Sequence, residues 1–131
     1  MITHEIPESK WHTIATDLLE HKGAKYLVVV DLYSRYLEIV HTHSTTANII
    51  IQKIKSIFAR WRIPLRLLSD NGPPFSSQEF AKFIGDCGIE HVTSSPYYPQ
   101  SNGAAERAVQ TAKKILSQDD PAMALMTYRC S

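Results

Sequence analysis

The sequence predicts an α/β fold built on a mixed sheet, and three observations predict it. Three strand-like segments follow one another before residue 44, separated by turn-forming residues. The hydrophobic period then changes from that of a strand to 3.6 residues, and helical and short strand segments alternate from there on. No internal repeat, low-complexity tract or linker interrupts the 131 residues. Pro and Gly cluster at Asn71–Pro74 and at Ser95–Gly103, which read as loops inside one domain.

His12 to Leu19 forms the first strand and Glu20-His21-Lys22-Gly23 a turn. Ala24 to Asp31 carries Tyr-Leu-Val-Val-Val, a continuous run of the kind buried on both sheet faces. Leu32-Tyr33-Ser34 turns the chain, and Asp31 is read as a structural acid that fixes this turn by an Asx-type bond. Arg35 to His43 is the third strand. Its Tyr36, Ile39 and Val40 do not alternate, so the sequence leaves its register open.

Ala47, Ile50, Ile51, Ile54, Ile57, Phe58 and Trp61 fall at offsets 0, 3, 4, 7, 10, 11 and 14, one apolar stripe of a helix capped by Thr45 or Thr46. Leu65 to Leu68 is a short strand ending at Ser69-Asp70, and Asn-Gly-Pro-Pro breaks the chain. Ser76 and Glu79 then have capping-box spacing, with Phe75 and Phe80 as a hydrophobic staple, on a helix running to about Ile84. Gly88 to Thr93 is another strand. Ala105, Ala108, Val109, Ala112, Ile115 and Leu116 repeat the helical stripe after the second loop, and a last helix begins at Asp120-Pro121.

Composition excludes several function classes. Fourteen Lys and Arg against 13 Asp and Glu leave a formal charge of +1, which rules out a basic nucleic-acid cloak and an acidic tail but permits a local basic patch. The densest apolar run, Tyr26 to Val30, is strand-sized and far below a membrane span. The N-terminus has no apolar h-region, so no signal peptide is expected. Cys87 and Cys130 form neither a disulfide framework nor a Cys-x-x-Cys, which predicts an intracellular chain with free thiols.

Three acids stand where chemistry gathers. Asp70 ends a strand before a breaker, as functional groups do at the carboxyl ends of strands in open α/β sheets. Asp17 lies within the first strand, where Asp is depleted. Glu106 sits one residue round from the stripe at Ala105, with Gln110 and Lys113 aligned behind it. Whether Asp17 lies beside Asp70 depends on a strand pairing that sequence does not fix. Two carboxylates about 4 Å apart repel by roughly 4 kcal/mol at an effective dielectric near 20, so three converging acids call for a cation or for protonation. With oxygen donors alone, that cation is Mg²⁺ or Mn²⁺ rather than Zn²⁺. Such a cluster suits in-line phosphoryl displacement. Each acid also has an ordinary reading: a turn aspartate, a strand aspartate and a first-turn glutamate. The His41 and His43 pair has metal-ligand composition but no nearby partner, and reads as exposed.

The chain resembles the catalytic core of retroviral and gypsy-type LTR-retrotransposon integrases, within the DDE transposase group. The resemblance rests on Thr16-Asp17-Leu18, on Tyr26 through Tyr36, on Ser69-Asp-Asn-Gly-Pro-Pro-Phe75 and on Ser95-Pro-Tyr-Tyr-Pro-Gln-Ser-Asn-Gly-Ala-Ala-Glu-Arg107. Thirty-five residues, 71–105, separate Asp70 from Glu106, the family's spacing. It extends from about Trp11 to Arg129. It implies an RNase H-like fold, a five-stranded mixed sheet flanked by helices. It implies that Asp17, Asp70 and Glu106 are the catalytic acids and hold two Mg²⁺ or Mn²⁺ ions, Asp17 bridging them. The implied activity is trimming of DNA 3′ ends and their joining to target DNA. Gln100, Ser101 and Asn102 match an active-site loop that meets DNA, hinged at Gly103, and Lys113 matches a phosphate-contacting position. Lys113 and Lys114 read equally as a solvated helix face, Arg107 as phosphate contact or surface charge, and Tyr97 and Tyr98 as base-stacking or loop-packing.

The resemblance also implies DNA as partner, a homodimer through the core, no membrane and a nuclear site of action. Full-length members carry an N-terminal zinc domain and a C-terminal DNA-binding domain. Neither pattern occurs here, so residues 1–131 read as a single core domain with limited activity of its own. The alternative is a non-catalytic, element-derived module for DNA binding or oligomerisation. A nuclease acting on RNA–DNA hybrids shares fold and metals, but the Pro-Gln-Ser-Asn-Gly loop and the 35-residue spacing argue against it.

Overall fold

The computed structural model describes residues 10–93 and 99–130, residues 99–102 by their backbone only. Strands β1 (Thr13–His21), β2 (Ala24–Asp31) and β3 (Leu37–Thr42) form an antiparallel meander. Lys22 and Gly23, at φ 52° and 81°, make the two-residue β1–β2 connection. Positive φ at both positions matches the twist of the flanking strands. Strands β4 (Arg66–Ser69) and β5 (Glu90–Thr93) add in parallel, giving the order β3-β2-β1-β4-β5. This is the five-stranded mixed sheet of the RNase H-like fold.

Helices cover both faces. From one face of the sheet Ile14, Leu27, Val29 and Leu67 pack with Ile50, Ile54, Ile57, Phe80 and Phe83 of α1 (Ala47–Arg60) and α2 (Gln78–Cys87). From the other, Ala15, Leu19, Val28, Val30 and Leu68 pack with Ala105, Ala108 and Ala112 of α3 (Pro99–Leu116), with α4 (Pro121–Arg129) alongside. Alternate β1 and β2 residues thus enter opposite cores, which is why β2 reads as an unbroken apolar run. Small alanines let α3 lie close to the sheet and carry its flanking residues to the strand ends.

Several boundaries differ from expectation. β3 starts at Leu37 because Arg35, at φ 66°, and Tyr36 belong to a turn closed by Asp31 N–H to Tyr36 O at 2.9 Å and Arg35 N–H to Asp31 O at 2.8 Å. The α2 cap is Ser77, whose Oγ accepts from Phe80 N–H at 3.1 Å. Ser76 instead donates its N–H to Gly72 O in the preceding turn, so the Ser76–Glu79 box does not form. The Phe75–Phe80 contact survives, edge to face at 5.3 Å. The largest correction concerns Ser95–Gly103. Helix α3 begins at Pro99, so Pro99–Gly103 form its first turns rather than a loop, and Gly103 is no hinge at positive φ. Proline lacks only an N–H that a helix leaves unused at its start.

The α2 helix ends on Gly88 at φ 70°, with Ile89 N–H reaching back to Ile84 O at 3.1 Å. A Cβ there meets nothing within 4 Å. Gly88→Ala is therefore expected to cost backbone strain alone, about 1–2 kcal/mol, read as a lower urea midpoint at unchanged slope.

Two buried acids are structural. Asp31 accepts from Ser34 Oγ at 2.6 Å and Ser34 N–H at 3.2 Å, as its turn role requires, and also from Trp11 N–H at 3.0 Å. Glu38, which the sequence reading did not single out, takes a bidentate fork from Arg60 at 3.0 and 3.1 Å and a bond from Trp61 Nε1 at 3.1 Å. Arg129 of α4 lies over the Tyr36 ring at 4.3 Å and donates Nε and Nη2 to Leu37 O, at 3.1 and 2.7 Å.

Candidate active site

The β1–β4 register decides what the sequence left open. Thr13 pairs with Arg66 and Ala15 with Leu68. Two further residues along each parallel strand bring Asp17 level with Asp70, just past the carboxyl end of β4. Ala15 and Leu68 face the α3 layer, and Asp17 follows Ala15 at the two-residue strand period. Above them α3 packs against β1, β2 and β4 and carries Glu106, exposed, directly after buried Ala105.

Each aspartate is held by the backbone. Asp17 Oδ1 accepts from Leu18 N–H at 2.8 Å, and Asp70 Oδ1 from Gly72 N–H at 2.9 Å. Asp17 and Glu106 line one open groove of about 620 Å³, whose other walls include Arg107, Gln110, Thr111 and Lys114. Burial pushes the Asp17 carboxyl above the usual carboxylate range, the Leu18 N–H partly offsets this, and the charges of Asp70 and Glu106 push it further up. Asp70 and Glu106 therefore both act electrostatically on Asp17.

The all-oxygen donor set fits a hard divalent cation, whose charge would offset the repulsion that loads Asp17. Among the described residues, however, no three His, Cys, Asp or Glu side chains stand close enough to form a closed ligand group. The acids share an electrostatic site with an open spacing. His41 and His43 are exposed, and His41 meets Tyr26 edge to face at 5.4 Å.

The raised Asp17 value has a stability consequence. A carboxyl whose folded pKa lies above its unfolded value binds more protons when folded, so stability falls as pH rises through that interval. In metal-free protein at neutral pH, Asp17→Asn is expected to raise the melting temperature, because the amide oxygen keeps the Leu18 bond. The gain should shrink as pH falls toward the ordinary carboxylate range. A pH series of thermal melts checks this, and an unchanged gain at acid pH would contradict it.

Lys113 is exposed on α3, while Arg107 and Lys114 line the groove itself. The side chains of Gln100, Ser101 and Asn102, and all of Tyr97 and Tyr98, lie outside the described residues. Beside Asp70 the structure adds a pair that sequence reasoning missed. Ser69 Oγ donates to Asp70 O at 2.8 Å and meets His91 Nε2 of β5 at 2.7 Å. Only the β4–β5 register brings them together, with Leu67 opposite His91 and Ser69 opposite Thr93.

A meander extended by two parallel strands, with acids from the centre strand, its parallel neighbour and the covering helix, defines an RNase H-like core with a carboxylate rim. The sequence profile described as "Integrase core domain" matches residues 4–99, which include Asp17 and Asp70 and stop short of Glu106. An uncharacterised Caenorhabditis elegans protein is 42% identical over 114 residues, 86% of this chain and 9% of its own length. The Gag-Pol polyprotein of baboon endogenous virus (strain M7) is 37% identical over 115 residues, 86% of this chain and 7% of that one. The solved catalytic core domain of BIV integrase superposes with a TM-score of 0.74 at 28% identity, covering 92% of this chain and 82% of that one. This chain belongs to the integrase core domain family, of retroviral type, and spans under a tenth of the length of either of these two curated relatives.

Proposed function

We propose that this domain is a metal-dependent polynucleotidyl transferase that trims DNA 3′ ends and joins them to target DNA. The observation that carries the reading is geometric: the β1–β4 register brings Asp17 level with Asp70, and Asp17 lines one groove with Glu106. Asp17, Asp70 and Glu106 would hold two Mg²⁺ or Mn²⁺ ions, which when bound supply Lewis-acid stabilisation of phosphoryl oxygens and a more acidic nucleophile.

The chain's own residues do the rest. The Leu18 and Gly72 amides fix the aspartates, and Arg107 and Lys114 offer charge to phosphates entering the groove. Gln100, Ser101, Asn102 and Lys113 are proposed as further DNA contacts. In each step an oxygen nucleophile, first water and then a DNA 3′-hydroxyl, forms a bond to phosphorus as the opposite P–O bond breaks. DNA ends and target DNA are the partners, a homodimer the working unit and the nucleus the place.

A second reading is a DNA-binding or oligomerisation module, since Arg107 and Lys114 in the groove would meet phosphates without any reaction. A branched oligonucleotide resembling an integration product separates the two, since reversal of joining asks least of additional domains. Rejoined strand in Mn²⁺ or Mg²⁺, and none in EDTA, supports the transferase. DNA binding without rejoining, in folded protein that neither ion stabilises, supports the module.

A further inference from the structure

We propose that His91 is a positioning residue for Asp70, acting through Ser69. The inference rests on the reading of Asp70 as a catalytic acid and adds a residue to that site. Asp70 stands at the first position after β4, where the sheet ladder ends and its own pairing stops. Something other than the ladder has to set its backbone. Ser69 Oγ has a single proton, and donates it to Asp70 O at 2.8 Å. With that proton committed to Asp70 O, the 2.7 Å bond to His91 runs from Nε2–H to Oγ. Burial of His91 holds its pKa below the ordinary histidine value, consistent with a ring that donates without charge.

The ring is itself fixed. It lies edge-on to Phe80 at 5.5 Å, and Phe80 has no exposed surface. A chain of contacts thus leads from the α2-side core through His91 and Ser69 to the Asp70 carbonyl. The Asp70 side chain is anchored separately by Gly72 N–H. With main-chain oxygen and Oδ1 both tied, the direction of the other carboxylate oxygen is set by the protein. A chain of hydrogen bonds behind a functional carboxylate commonly changes activity by about 10–100-fold when broken.

The test uses His91→Phe, which fills the same space against Phe80, His91→Gln, whose amide places a donor near Nε2, and Ser69→Ala. The first readout is the Gly72 amide resonance in metal-free protein, which reports the Asp70 turn without any reaction. The second is kcat and KM on the branched DNA. The expected result is a shifted Gly72 resonance in His91→Phe and Ser69→Ala, with kcat down about 10–100-fold and KM unchanged, and recovery of both in His91→Gln. A Gly72 resonance unmoved in His91→Phe and Ser69→Ala overturns the proposal. So does loss of kcat that His91→Gln fails to restore. If the unsubstituted chain joins no DNA, the transferase reading fails by itself, and the Gly72 resonance still decides the positioning.

Discussion

Glu106→Gln and Asp70→Asn are each expected to lower strand rejoining on branched DNA by about 10³-fold or more while leaving the fold intact. Electrostatic stabilisation by a bound metal supplies several kcal/mol at the transition state, and each 1.36 kcal/mol is a factor of ten in rate. On the proposed reading, neutralising one acid removes a ligand and part of the field that concentrates the cation. Both side chains are exposed, and each substitution is isosteric, so stability should change little. Asp70→Asn keeps an Oδ1 acceptor for Gly72 N–H. Glu106 is the more informative of the two because the family profile ends before it, so its assignment rests on the motif, the spacing and its electrostatic effect on Asp17. Rejoining that survives Glu106→Gln would mean that the third carboxylate has been wrongly assigned.

Phe80→Ala is expected to destabilise the domain by about 3–5 kcal/mol, the range for truncating a fully buried aromatic. Phe80 has no exposed surface and touches Phe75 at 5.3 Å, Phe83 at 6.0 Å and His91 at 5.5 Å. Its neighbours come from a turn, a helix and a strand, so they cannot collapse together into the space left behind. Since domains of this size carry about 5–15 kcal/mol in total, the variant should sit near the edge of folding at room temperature. Urea denaturation monitored by tryptophan fluorescence checks it, and a loss below about 1 kcal/mol would show that the cavity closes.

Much of the fold was legible because hydrophobic period and turn chemistry agreed. The β2 run, the α1 stripe and the α3 alanines each name an element and the face it buries. Boundaries shifted where side chains had competing uses. Ser76 and Ser77 are both capable caps, and only the turn from Gly72 decides between them. The Pro99–Gly103 stretch has loop composition, yet the helix anchored at Ala104 and Ala105 extends through it. Site acids were legible one by one from their positions, but their meeting was not. Asp17 joins Asp70 through the β1–β4 register, a pairing across about fifty residues that no local pattern encodes. Glu38, buried, and His91, half-buried, escaped for the same reason, since the partners of each are distant in sequence.

The Arg129 guanidinium on Leu37 O has a bearing on solubility. A sheet's outermost strand offers unpaired backbone groups to any passing chain, and proteins that leave them open invite runaway strand stacking. Here α4 lays its own arginine across that rim and clamps it with the Tyr36 ring, on a strand whose neighbouring Glu38 is charged and ion-paired. The opposite rim, β5, is only four residues long and begins with a glutamate. Both rims of the sheet are thereby shielded against the addition of a further strand from another molecule.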